Sequence, residues 1–238
     1  MIVVMFDIDG TLLRTRGSSI RAMKRAAEKV FGTPGAFEEV ECAGRLDPHI
    51  ITDALRPFNI VPTEAEWRQF KELYFCALRE EQSNFRLVTG ADRLIEDLRQ
   101  RKNVLLGLAT GNFTESAFIK IEGVGLRPEW FVANAFGEEV PDRASLVALA
   151  IKRAKRWAAD HIERAVVVGD TPRDIAAAKA NSCPCVAVAT GRYSMEALAE
   201  AGADLCVPSL EPTPALMNFL LDGDRPGLWA GLEKTPLT

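Results

Sequence analysis

The chain alternates short uninterrupted apolar runs with stretches of helical periodicity. Ile2-Val3-Val4-Met5-Phe6, Val104-Leu105-Leu106-Gly107-Leu108-Ala109, Ala165-Val166-Val167-Val168-Gly169 and Cys185 to Ala189 have the length and composition of strands buried on both faces. A short strand is expected near Val132 to Ala135, and Ala203 to Val207 reads as a last edge strand. Helical patterns lie between them. They run from Ala91 to Arg101, from about Thr114, from Ser145 to Trp157, from Arg173 through Ala180, and from Met195 to Ala201. Each strand leads into a helix, which predicts a parallel sheet with right-handed crossovers.

One block breaks the alternation. From Arg14 to Arg86 the pattern is helical, with helices expected from Ser18 or Ser19 to Phe31, from Pro48 to Phe58 and from Glu64 to Gln82. The predicted fold is therefore α/β, a three-layer Rossmann-like parallel sheet with a small helical domain inserted after the first strand. The expected boundaries are 1–13 and 87–222 for the core, 14–86 for the helical insertion and 223–238 for a loose tail.

Chemistry gathers where strands end. Asp7 and Asp9 follow the first strand, Thr110-Gly111-Asn112 the second, and Asp170 the third long run. In parallel sheets ligands bind at the carboxyl ends of strands, so these groups should meet there. Three crowded carboxylates repel unless a cation sits among them, and hard oxygen donors favour magnesium. Bland readings exist beside this one. Asp7 and Asp9 could cap an Asp-Gly turn. Thr171 as N-cap, Pro172 at N1 and Asp174 at N3 make a good helix start without any function. That leaves Asp170 unexplained.

The strings DIDGT (Asp7–Thr11), LATGN (Leu108–Asn112) and VVVGDTPRDIAAAKA (Val166–Ala180) stand in this order, each with an apolar run leading into it. They resemble the first, second and fourth motifs of the haloacid dehalogenase superfamily, and the resemblance covers roughly Ile2 to Leu221. It implies a phosphohydrolase acting on a small phosphorylated metabolite, similar to phosphoglycolate phosphatases, with the helical insertion as a cap. On matching positions it implies Asp7 as nucleophile and Asp9 as acid and base. Thr110, Gly111 and Asn112 would bind phosphate, and magnesium would sit on Asp7, the Asp9 carbonyl, Asp170 and Asp174.

The family's third motif is a lysine. Here Pro141-Asp142-Arg143-Ala144 offers Arg143 just before a helix, with Lys152 or Lys155 as other candidates. Within the insertion, Gly44-Arg45-Leu46-Asp47 resembles the cap's substrate loop, with Arg45 the functional candidate. In the plainer reading, Gly44 ends one helix and Asp47 N-caps the next. A dehalogenase, a sugar phosphomutase of the same fold and a non-catalytic binding protein are the alternatives; Asp9 speaks against the first.

Composition narrows this picture little. A net charge of −4 offers no basic field for nucleic acid, and no apolar stretch is long enough to span a bilayer. The first residues enter a strand with no basic region before it, so no secretory signal is expected and a cytoplasmic location is. Five cysteines, an odd number mostly in apolar contexts, suit reduced thiols. Cys183-Pro184-Cys185 lacks the partners of a metal site. A monomer or homodimer is expected.

Overall fold

The computed structural model describes residues 1–222. Its elements in chain order are β1 (Ile2–Phe6), β2 (Leu13–Arg14), α1 (Ser18–Phe31), α2 (Asp47–Leu55), α3 (Glu64–Glu80), β3 (Arg86–Leu87), α4 (Ala91–Arg99), β4 (Val104–Thr110) and α5 (Thr114–Gly123). There follow β5 (Ala135–Phe136), α6 (Arg143–Trp157), β6 (Arg164–Gly169), α7 (Pro172–Ala180), β7 (Cys185–Val188), α8 (Met195–Glu200), β8 (Leu205–Val207) and α9 (Pro214–Leu221). Six strands form one parallel sheet in the order β5-β4-β1-β6-β7-β8.

The apolar runs explain the layering. On β1, Val4 and Phe6 join one buried cluster with Leu94 and Leu98 of α4, Ile121 of α5 and Phe219 of α9. The alternate residues Val3 and Met5 join another, with Leu146 and Ala150 of α6, Ile175 of α7 and Leu198 of α8. A strand with both faces covered must be apolar at every position, and β1 is. Register across the centre pairs Phe6 with Leu108 on one side and Val168 on the other. That alignment brings the residues after β1, β4 and β6 to one edge.

Helices α1, α2 and α3 build a third cluster that runs onto α5 through Phe113 and Ile119. The Phe113 ring meets Trp67, Tyr74 and Phe75 edge-on at 6.0–6.4 Å between centroids. Each such pair is worth about 0.5–1.5 kcal/mol beyond the area it buries. An antiparallel pair, Leu13 with Leu87 and Arg14 with Arg86, ties the chain where it leaves for these helices to where it returns. No described helix is long and apolar enough to cross a membrane.

Several expectations are corrected. The α1 cap is Gly17, at φ 81°, rather than Ser18 or Ser19. Asp47 is the first residue of α2 and Leu46 its N-cap, because the Asp47 carboxylate is engaged elsewhere. Gly44 ends no helix, since residues 33–46 form none. The short strand is Ala135–Phe136; earlier in that segment Phe131 makes only a single bridge to Leu106. Arg143 lies inside α6 as its first residue, with Asp142 capping by a 2.7 Å bond from the Ser145 N–H. Helix α9 and the β2–β3 pair are additional to the predicted elements. The expected tail at 223–238 lies outside the described residues. All five thiols are free, and Cys76, unlike Cys183 and Cys185, is exposed.

Candidate active site

Asp7 leaves β1 with its N–H bonded to the Val168 carbonyl at 2.9 Å, so the sheet itself fixes the backbone under this carboxylate. The chain then turns through Gly10 at φ 85°, where a Cβ would collide with the Asp170 carboxylate. Only glycine lets the turn close this tightly against the end of β6. Asp170 accepts a 3.0 Å bond from the Thr11 hydroxyl. Asp174 belongs to a capping box at the start of α7, accepting from the Thr171 N–H at 3.1 Å and the Thr171 hydroxyl at 2.7 Å. The capping reading of Asp174 therefore holds. Its other oxygen faces the site and takes the Arg143 Nε at 2.8 Å.

Arg143 is the link. Its Nη2 lies 2.9 Å from Asp7 and also pairs with Asp174. Carboxylate oxygens of Asp7, Asp170 and Asp174 all lie within 4.8 Å of one another, and all three residues are buried. Burial pushes the Asp7 carboxyl up to about 6; Arg143 opposes this, while Asp174 and Asp9 add to it. Burial, then Asp174 and Asp7, raise Asp170 well above the usual carboxylate range. Burial alone would lower the Arg143 guanidinium, but Asp174 and Asp7 more than offset it and hold it charged. One guanidinium thus stands against three buried carboxylates: it pairs with Asp7 and Asp174, and Asp170 makes no salt bridge among the described residues. That deficit fits a divalent cation bound by these oxygens.

Arg143→Met would leave Asp7 and Asp174 buried without their cation. Breaking a buried pair this way costs roughly 3–5 kcal/mol. Urea unfolding should show that loss in metal-free protein.

On the other side of Asp7, Thr110 ends β4 fully buried, and its hydroxyl accepts from Asn112 Nδ2 at 2.7 Å. The same Asn112 group reaches Asp9 Oδ2 at 2.8 Å. Gly111 has no room for a Cβ, which would strike the Arg45 carbonyl; the 42–46 loop of the helical segment presses directly on the second motif. Asp47 completes that contact. Its N–H donates to the Gly111 carbonyl at 2.7 Å, and its carboxylate accepts from the Phe113 N–H at 3.2 Å and the Ser116 hydroxyl at 3.4 Å. Burial raises this carboxyl to about 7, against the opposing charge of Lys120.

Asp7, Asp9, Asp170, Gly111, Asn112 and Arg143 line a common cavity of about 520 Å³. Arg45 lines it too, but its guanidinium pairs with Asp53 and donates to the Glu41 carbonyl at 3.2 Å. Lys152 and Lys155 lie elsewhere, in an open recess on the outer side of α6 that contains none of these groups. They do not reach the site.

Lys120 is a further residue of the site, outside the sequence motifs. It sits on the inward face of α5, 1 % exposed, with its ammonium 2.6 Å from Asp9 Oδ2 and also bonded to Asn112 Oδ1. Its signal in the sequence was faint: a single cation among Ser116, Ala117, Ile119 and Ile121 on a helix otherwise packing inward.

A sequence model described as haloacid dehalogenase-like hydrolase matches residues 4–188. A phosphoglycolate phosphatase from Caulobacter vibrioides is 24 % identical over 223 residues, covering 92 % of this chain and 91 % of that one. Among solved structures, a hydrolase from Pseudomonas syringae superposes with TM-score 0.66 at 21 % identity, over 89 % of this chain and 95 % of the other. A Thermotoga maritima protein described as a candidate β-phosphoglucomutase superposes with TM-score 0.58 at 23 % identity, over 87 % and 94 %.

Proposed function

The chain belongs to the haloacid dehalogenase-like hydrolase family, and we propose that it is a magnesium-dependent phosphatase of a small phosphorylated metabolite, working through a phosphorylated Asp7. The observation that carries this reading is the Arg143 fork, which holds Asp7 and Asp174 beside Asp170 at the carboxyl edge of the sheet. Asp7 is thereby presented as a fixed, charge-compensated nucleophile.

In the first step an Asp7 oxygen bonds to phosphorus, the bridging P–O bond breaks, and the leaving oxygen takes a proton from Asp9. In the second, water attacks phosphorus, gives its proton to Asp9, and Asp7 is released with inorganic phosphate. Thr110, the Gly111 and Asn112 amides and Arg143 bind the non-bridging oxygens. Asp7, Asp170 and Asp174, with the Asp9 carbonyl, would hold the magnesium ion. Such an ion supplies positive charge against the phosphate. Helices α1–α3 act as the cap: Asp47 and the 42–46 loop dock on the second motif, and Arg45, once released from Asp53, is placed to read the substrate.

The test is phosphate release from a panel of small esters including phosphoglycolate, with magnesium or with chelator. Release from at least one ester, lost on chelation, is expected. Transfer between sugar positions without net release would favour a mutase; no reaction by the folded chain would contradict the phosphatase reading.

A further inference from the structure

Lys120 has no role in that scheme, yet its placement is costly. An ammonium buried to 1 % exposure loses its hydration, and a leucine there would complete an apolar helix face. Its partner does not require it: the Asp9 side chain is 39 % exposed, so solvent alone can stabilise that charge. What the contact supplies is geometry. Lys120 Nζ at 2.6 Å and Asn112 Nδ2 at 2.8 Å both bond to the same oxygen, Asp9 Oδ2. Oδ1 has no hydrogen-bond partner among the described residues, and Asp9 lines the cavity. Lys120 and Asn112 are also bonded to each other, and both belong to the segment that follows β4. Asp47 in turn pins the start of that segment through the Phe113 N–H and Ser116 hydroxyl.

We infer that Lys120 is a positioning residue for Asp9. Clamping Oδ2 from the α5 side, it leaves Oδ1 as the oxygen that delivers a proton to the leaving group. Arg143 keeps the nucleophile in place, and Lys120 does the same for the proton donor. The inference rests on the phosphatase reading and on Asp9 serving the leaving oxygen. It concerns the step in which alcohol departs, which is the step kcat/KM reports.

An aryl ester with a good leaving group needs little proton donation, whereas an alkyl ester depends on it. The test therefore compares kcat/KM for p-nitrophenyl phosphate with that for an alkyl phosphate turned over by the wild type, both with magnesium. Lys120→Met, which keeps length and packing, is expected to lower the alkyl value about 10²-fold, the lower range of general-acid contributions. The alkyl-to-aryl ratio should fall at least about tenfold. An equal fall for both esters would overturn the inference, since a residue that merely holds the fold or binds phosphate affects both alike. No change in either would overturn it too. If the Met variant does not fold, Lys120→Gln decides by the same ratio, which should drop at least about threefold because one neutral donor replaces the ammonium. A wild type that hydrolyses neither ester would overturn the phosphatase reading and this inference with it. A wild type active on both, with an unmoved ratio in the variant, overturns this inference alone.

Discussion

Asp7→Asn is expected to reduce phosphate release by at least about 10³-fold while leaving the protein folded, as loss of a covalent nucleophile does. The amide keeps the shape of the carboxylate and can still accept from Arg143, but it cannot form the acyl phosphate. The fold should tolerate it well. Asp7 is buried with its carboxyl pushed up to about 6, so a neutral side chain there removes the cost of burying a charge and, to a lesser extent, the repulsion from Asp174 and Asp9. Steady-state release on the best panel substrate, with thermal melting in parallel, separates the two effects. Residual activity within about tenfold of the wild type would remove Asp7 from the nucleophile role.

The second large effect concerns stability, pH and metal. Asp7 is raised to about 6, Asp47 to about 7 and Asp170 well above its ordinary value, each chiefly by burial. The folded chain therefore holds protons that the unfolded chain has already lost. For Asp7 and Asp47 that stabilising contribution is full below about pH 4 and is gone once pH has risen through about 6 and about 7 respectively; Asp170 adds in the same direction. A tenfold change in proton affinity between the unfolded and folded chain corresponds to about 1.4 kcal/mol, so Asp7 and Asp47 alone weaken the metal-free fold by about 4 kcal/mol between pH 5 and pH 8. For a chain of this length that is on the order of 10 °C in Tm. Magnesium should restore the share due to Asp7 and Asp170 at pH 8 and do little at pH 5, because it binds the ionised carboxylates. The share due to Asp47, which is not among the clustered carboxylates, should persist with magnesium and vanish in Asp47→Asn. A chelated protein equally stable at both pH values would contradict this electrostatic account.

The fold was legible because the sheet is covered on both sides. A strand such as Val104–Thr110, buried at every residue, needs an unbroken apolar run, and such runs stand out in the sequence. The positions of Asp7, Thr110 and Asp170 followed from the same rule, each standing at the end of a run. What escaped depended on long-range partners. The bond from Lys120 to Asp9 joins residues 111 apart, and only its small and apolar helix neighbours set Lys120 apart from a solvated lysine. Pro48 gives Asp47 the look of a local cap, whereas its carboxylate serves the start of α5, 66 residues away. The β2–β3 pair has two residues on each side, too short for any periodicity to register. Helix α9 begins at Pro214 with Thr213 capping it, a start signal present in the sequence but obscured by the proline-rich end beside it.

The central claim is that phosphoryl transfer proceeds through Asp7 in two displacements. The stereochemical course at phosphorus tests it most directly, using an isotopically chiral phosphorothioate ester hydrolysed in labelled water. Each in-line displacement inverts phosphorus. Net retention is the expected result, from one inversion onto Asp7 and a second onto water. Net inversion would mean that water attacks the ester directly, and would contradict the covalent role given to Asp7.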